Sequence, residues 1–194
     1  MTPSIFRNMS KRSRGYYRRP KKQWTMDVVN GRFAVAEVAG GAFAANGATI
    51  CVTPGRAYAN GEAQISAGSD IVVKHVKVSA IIHQDDMISG ESLLFYVVYV
   101  PEGATLEITG RTISQNLYDA FFYSRPEYIM AWKRVTVQNG TGTSCNVDLN
   151  TGKLKRTLHP GDSIALVAMH LNQGNSGSES KIISFSATYC FTTQ

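Results

Sequence analysis

The sequence predicts an all-β protein, an antiparallel sandwich that follows a basic N-terminal segment. Apolar and polar side chains alternate from Ile183 to Phe191, which is typical of a strand with one buried face. Residues 92–100 and 163–171 are apolar at almost every position, which indicates central strands that are covered on both faces. Four Asn-Gly pairs, which favour tight turns, separate such runs at 30–31, 46–47, 60–61 and 139–140.

The same patterns predict seven strands, with an eighth around 145–149. In chain order, the seven are residues 28–38, 70–83, 92–100, 129–137, 153–158, 163–171 and 183–191. Residues 114–123 form the one helical candidate, within a long connection. Eight strands joined by some connections that are too long for hairpins favour a single eight-stranded antiparallel jelly-roll sandwich.

The segment 70–83 has an irregular alternation. Its predicted buried face comprises Val72, Val76, Val78, Ala80 and Ile82. Lys74 falls on that face and breaks the phase, which a β-bulge or a position at the sheet edge would explain.

The charge of the chain is concentrated at its N-terminus. Residues 1–22 hold eight Lys and Arg and no Asp or Glu, whereas the rest holds 12 Lys and Arg against 14 Asp and Glu. With few aliphatic side chains, this segment cannot offset its ordering entropy by burial and is predicted to be disordered. We therefore divide the chain into a disordered basic arm, residues 1–23, and a nearly neutral folded body, residues 24–194.

The composition of the arm suits single-stranded nucleic acid. Each Lys or Arg that meets a phosphate releases counterions, so binding is independent of base sequence and sensitive to salt. Arg adds bidentate phosphate contacts, and aromatic rings, including that of Trp24, can stack on unpaired bases. The candidate nucleic-acid-binding residues are Arg7, Lys11, Arg12, Arg14, Tyr16, Tyr17, Arg18, Arg19, Lys21 and Lys22. Their two basic clusters also match a bipartite nuclear-import signal, a pattern common in basic tails.

No catalytic or metal-binding pattern stands out in the sequence. GxGxxG, HExxH, GxSxG and a complete P-loop are absent, and the four histidines lack HxH or HxxxH spacing. Three distant cysteines are expected to be reduced thiols, and no apolar run approaches the 18 residues of a membrane span. Asp85 and Asp86 can help to hold Ca²⁺ at a subunit contact, although a solvated acidic turn is the commoner role. We expect neither an enzyme nor a cofactor.

Several segments resemble coat proteins of very small icosahedral viruses. Residues 68–78 (GSDIVVKHVKV) are similar to the C strand of circovirus-like, nanovirus-like and satellite-necrosis-virus-like coat proteins, where a basic-x-valine strand follows a loop ending in Gly-Asp or similar. Residues 93–103 resemble the next strand and its turn, and residues 125–137 the strand after a short helix. Residues 160–166 and 184–192 resemble the segments that close the roll, in the same order.

This resemblance implies a capsid protein of a small icosahedral single-stranded DNA virus, with residues 24–194 as the shell domain. It implies self-assembly into a T = 1-class shell with the arms directed inward onto the genome. DNA is favoured over RNA because a nuclear-import signal suits a genome replicated in the nucleus. The implied partners are further copies of this chain, the single-stranded genome and a host nuclear import receptor, without a membrane. The implied locations are the virion and, during assembly, the host-cell nucleus.

Two other functions fit parts of the sequence. A cellular single-stranded nucleic-acid-binding β-barrel protein that does not assemble would also use the arm. Such a barrel usually has a basic groove of its own, whereas the body here has a net charge of −2. A jelly-roll lectin or cytokine-like trimer leaves the arm unexplained. The size of the protein under non-dissociating conditions separates a capsid protein from these alternatives.

Overall fold

The computed structural model describes residues 23–35, 42–52, 69–82, 92–104, 108–112, 126–136, 145–171 and 181–193. These ranges contain ten strands and one short 3-10 turn, Pro126–Tyr128. The strands are β1 (Thr25–Val35), β2 (Ala42–Val52), β3 (Ile71–Ile82), β4 (Ser92–Val100), β5 (Ile108–Thr112), β6 (Ile129–Thr136), β7 (Cys145–Asn150), β8 (Lys155–Leu158), β9 (Ser163–Leu171) and β10 (Lys181–Thr193).

The strands form two five-stranded antiparallel sheets. The first sheet has the order β1-β10-β3, and both β7 and β8 pair with the far side of β3. The second sheet has the order β5-β2-β9-β4-β6. The chain crosses between the sheets after each of β1, β2 and β3, so sheet neighbours are distant in sequence, as in a jelly roll. This arrangement confirms the predicted fold class.

The main core lies between the two sheets. It packs inward side chains of the first sheet, such as Val78 and Phe185, against those of the second, such as Phe95 and Leu166. A second apolar cluster, which includes Val167, covers the opposite face of the second sheet. Because both faces of β4 and β9 are buried, these strands carry apolar residues at successive positions, and their bounds match the prediction.

Two predicted Asn-Gly turns lie inside strands instead. Gly31 is in β1, and a Cβ atom there would come within 2.6 Å of the Phe185 ring. Gly47 is in β2, where a Cβ atom would lie 2.4 Å from the carbonyl oxygen of Leu166. Both glycines therefore permit close approach of a neighbouring strand rather than a reversal of the chain. The turn prediction at these two pairs was wrong, and β2 and β5 were not predicted.

The predicted face of β3 requires a correction. Ile71 and Val73 are buried at its start, whereas Val72 is half-buried on the other face. β3 lies in the interior of the first sheet, so an edge position does not explain the change of phase. The register between β10 and β3 shifts between Thr188 and Cys190, which confirms the alternative, a β-bulge.

Several predicted features lie outside the described residues. They are the arm, the helical candidate at 114–123, Asp85 and Asp86, and the Asn-Gly pairs at 60–61 and 139–140. The weaker strand predictions at 28–38, 129–137, 145–149 and 153–158 correspond to β1, β6, β7 and β8, with ends displaced by a few residues.

Candidate nucleic-acid interface

The arm joins the body beside a cationic part of the first sheet. All ten candidate nucleic-acid-binding residues of the arm lie outside the described residues, so their role stays a prediction. The first described aromatic residue after the arm is Trp24, which is half-buried directly before β1. The Lys74 Nζ lies 3.6 Å from the centroid of the Trp24 ring, within the range of a cation–π interaction. The start of β1 is thereby tied to β3, two strands away.

Lys74 belongs to a row of residues that crosses the outer face of the first sheet. It pairs with Lys155 of β8 on one side and with Cys190 of β10 on the other, and Cys190 pairs with Met26 of β1. Directly opposed residues of antiparallel strands have Cβ atoms about 4.5–5.5 Å apart and point to the same face. Two lysines therefore stand side by side on this face.

The β-bulge adds Lys77 to the same face. Lys74 pairs with Cys190, and Lys77 pairs with Thr188. Cys190 and Thr188 are two residues apart and share a face, so the side chains of Lys74 and Lys77 also share a face. In a regular strand, residues three apart would point in opposite directions. The bulge residue His75 has a positive φ of 53° and takes up the extra residue.

The turn between β7 and β8 holds the bulge in place. The Val76 N–H donates to the Thr151 Oγ1 at 3.1 Å, and the Thr151 N–H donates to the Val76 carbonyl oxygen at 3.0 Å. The His75 Nδ1 lies 2.9 Å from the carbonyl oxygen of Gly152 and donates to it. Gly152 itself has a φ of +62°, which favours glycine. The turn continues through the exposed Lys153 and Leu154 into β8.

We define the basic face as Lys74, Lys77 and Lys155 on the outer surface of the sheet, together with the exposed Lys153 of the adjoining turn. Among the described residues, no carboxylate forms an ion pair with any of them. Asp148 pairs with Ser79 and lies diagonal to Lys77 on the same face, where it accepts a hydrogen bond from the Ser79 hydroxyl. Within the described ranges, the basic face therefore gathers four lysines without an ion-paired carboxylate, on a body whose net charge is negative.

Sequence reasoning missed the basic face. A net charge averages over the whole body and does not show where cations gather. Regular alternation along β3 also predicts that Lys74 and Lys77 point to opposite faces. The bulge that brings them to the same face is visible only in the register with β10. The available signals were Lys74, which broke the predicted phase, and the spacing of Lys153 and Lys155 by two residues.

A buried carboxylate organises the neighbouring end of the sandwich. Asp162 accepts hydrogen bonds from the Tyr99 hydroxyl at 2.7 Å, the His159 N–H at 2.9 Å and the Glu102 N–H at 3.2 Å. Partial burial, together with the hydrogen bond to Asp162 and its charge, raises the pKa of Tyr99 to about 12. The Arg156 guanidinium lies 4.1 Å from the centroid of the Tyr99 ring. These contacts fix two loops to each other, which is a structural role.

The thiol of Cys51 is buried in the main core. Burial raises the pKa of the Cys51 thiol to about 12, so it stays protonated at neutral pH and is a poor nucleophile. Within the same ranges, no three His, Cys, Asp or Glu side chains are placed to hold a metal ion. The part of the chain that the structure describes also contains no helix long and apolar enough to cross a membrane.

No known protein family and no curated protein matches the chain. Similar solved structures include Desmodium yellow mottle tymovirus, at 12% identity and a TM-score of 0.38, covering 100% of this chain and 95% of that one. The 60-mer BFDV capsid protein has 10% identity and a TM-score of 0.39, and the match covers 89% of this chain and 95% of that one. The VP2 subviral particle of infectious bursal disease virus has 12% identity and a TM-score of 0.35; the match covers 89% of this chain but only 33% of VP2. Likeness at this level carries no argument about function, which has to rest on the residues of the chain itself.

Proposed function

We propose that this protein is a viral capsid protein that assembles into a small T = 1-class icosahedral shell and packages single-stranded nucleic acid through its arm. The observation that carries the proposal is the division of charge. Eight cations without an acidic residue precede a jelly-roll body of net charge −2. A disordered cationic segment binds phosphates without reading their sequence, and a nearly neutral body can pack against copies of itself.

The number of arm cations suits a small genome. About sixty copies of a +8 arm neutralise on the order of 500 phosphates. Arg12, Arg14, Arg18 and Arg19 supply bidentate contacts, and the remaining arm cations add charge. Single-stranded DNA is the favoured genome because the basic clusters of the arm match a nuclear-import signal. The same signal implies an import receptor as a partner and the host nucleus as the place of assembly.

Edge strands of both sheets offer surface for contacts between copies. β1 is an edge strand of the first sheet, and its side chains Met26 and Val28 are 68% and 52% exposed. β6 is an edge strand of the second sheet, and Trp132 on it is 64% exposed. Long edge strands with exposed apolar side chains favour pairing or coverage by another chain. Neighbouring subunits of a shell would provide that coverage.

The nucleic-acid content of purified particles tests whether the arm packages nucleic acid. The eight Lys and Arg of residues 1–22 are replaced by Gln in the full chain, and the ratio of absorbance at 260 nm to that at 280 nm is compared with the unchanged protein. We expect folded protein that carries little nucleic acid, since the arm supplies the phosphate contacts. An unchanged ratio in particles of the variant would contradict packaging by the arm.

A second candidate is a single-stranded nucleic-acid-binding protein that does not assemble. The basic face favours it, because such a protein needs cations on its folded body as well as on a tail. The two candidates differ in the size of the native particle. A capsid protein forms closed multi-subunit shells, whereas the alternative stays small at every concentration.

A further inference from the structure

We propose that the basic face is a second, fixed binding site for the phosphate backbone of single-stranded nucleic acid, continuous with the arm. The inference deepens the proposed function and rests on it for one point only, the inward orientation of the face in a shell. Binding itself can be tested on the chain in any state of assembly.

The first argument is the electrostatic repulsion between the lysines of the basic face. Lys74 and Lys155 stand directly opposite each other on neighbouring strands, and like charges in that position are destabilising. Lys77 and the exposed Lys153 add two further cations, and no carboxylate of the described residues pairs with any of the four. A bound polyanion reduces this repulsion, because its phosphates carry the opposite charge.

The second argument is location. The arm ends at Gln23, and the next residue, Trp24, holds the Lys74 ammonium over its ring. A nucleic acid strand that follows the arm toward the body therefore meets the basic face first. The basic face therefore begins beside the residue at which the arm ends, and its strand lysines are held in place by β3, the bulge and β8.

The third argument concerns the kind of ligand. Lysine ammonium groups are point charges that bind phosphate without a fixed geometry. The four lysines provide charge rather than a helix or ribbon that could enter a groove, so they suit a backbone that is recognised without regard to base sequence. Trp24 acts as a positioning residue in this site, because its ring holds Lys74 in place.

The test uses the full chain with the eight arm cations replaced by Gln, so that only the body can bind. Binding to oligothymidylate is measured by fluorescence anisotropy over a range of salt concentrations. We expect weak residual binding with a slope of log affinity on log salt approaching roughly −2 to −3, since four phosphates contribute about −0.7 each. Additional Gln substitutions at Lys74, Lys77, Lys153 and Lys155 should abolish that slope. No residual salt-dependent binding, or binding that survives the four substitutions, would overturn the proposal.

Matched single variants sharpen the test in the same background. Lys77→Gln on β3 should reduce the slope by about 0.7, whereas Lys133→Gln, an exposed strand lysine of the other sheet, should leave it unchanged. Trp24→Leu keeps every charge, so it should weaken binding and leave the slope unchanged. Equal effects of the two lysine variants would show that net charge alone is responsible, which contradicts a localised site.

The ligand is assigned by comparing polyanions of equal charge. An abasic oligonucleotide should bind about as well as oligothymidylate if the phosphate backbone is the group recognised. Clearly tighter binding of a sulfated polysaccharide would assign the face to a different partner. If the protein forms shells but the chain without arm cations does not bind oligothymidylate, only this inference is refuted. Conversely, a persistent monomer that retains the binding would refute only the capsid function.

Discussion

Lys74 and Lys77 are three residues apart in β3, yet both side chains leave the same face of the first sheet. The pairing of these residues with Cys190 and Thr188 of β10 establishes this relationship. The extra residue is accommodated at His75, and the β7–β8 turn supplies hydrogen bonds to the displaced backbone. One β-bulge thus keeps Val73 and Val76 in the core while it brings two cations together outside.

Removal of the Thr151 hydroxyl should destabilise the fold through the bulge. Thr151→Val keeps the shape of this buried side chain but leaves the Val76 N–H without its side-chain acceptor. An unsatisfied buried donor costs about 1–3 kcal/mol, so the free energy of unfolding should fall by that amount. Thr157→Val on the neighbouring strand β8 is the matched control, with an expected change within about 0.5 kcal/mol. Equal losses in urea denaturation would show that Thr151 does not support the bulge.

Two glycines of the strands should differ in their tolerance of alanine. A Cβ at Gly47 meets the backbone oxygen of Leu166, which can move only if β9 moves. A Cβ at Gly31 meets the far end of the Phe185 ring, a side chain that can shift more readily than a strand backbone. Gly47→Ala should therefore lower the free energy of unfolding by about 3 kcal/mol or more, and Gly31→Ala by about 1–2 kcal/mol. Thermal unfolding of both variants checks the order, and the reverse order would contradict the close packing of β2 on β9.

The same glycines show where sequence reasoning succeeds and where it ends. β4 and β9 were predicted with their bounds because both faces are buried, which leaves an unbroken apolar run. β2 (AFAANGATICV) has small side chains and an Asn-Gly pair, so its local chemistry favours a turn, and pairing with β9 and β5 makes it a strand. Packing across strands is not encoded in the spacing of residues along one of them.

The basic face was missed for a related reason. Its lysines come from β3, β8 and the turn before β8, and their common face depends on strand register and on one bulge. Register is a property of paired strands, and a shift by one residue reverses the direction of a side chain. The arm, in contrast, was evident from composition alone, because its charge does not depend on folding.

Alkaline pH should destabilise the protein partly through Cys51. Burial raises the pKa of its thiol from 9.0 to about 12, so between these values the unfolded chain releases a proton that the folded protein retains. The free energy of unfolding therefore falls as the pH rises from 9 to 12, by up to about 1.4 kcal/mol per pH unit. Cys51→Ala lowers stability at neutral pH but should flatten the decline above pH 9. An unchanged pH dependence in denaturant titrations would show that the thiol does not contribute.

The arm should bind single strands with steep salt dependence and little sequence preference. For a peptide of residues 1–24, the slope of log affinity on log salt should approach about −5 to −6 if all eight cations engage. Replacement of four arginines by Gln should roughly halve the slope; these are Arg12, Arg14, Arg18 and Arg19. Replacement of Tyr16 and Tyr17 by Ala should weaken binding but barely change the slope, since stacking releases few counterions. A preference above about a hundredfold among unrelated oligonucleotides would contradict the electrostatic account.

The mass of the native particle tests the capsid function most directly. The full chain is purified without denaturant and sized by sedimentation velocity at near-neutral pH, with and without single-stranded DNA. A shell of about sixty 21.2 kDa chains has a protein mass of about 1.3 MDa, and we expect a discrete species of at least that mass, seen as closed particles by electron microscopy. A chain that remains monomeric at high concentration with nucleic acid present would contradict the proposed function.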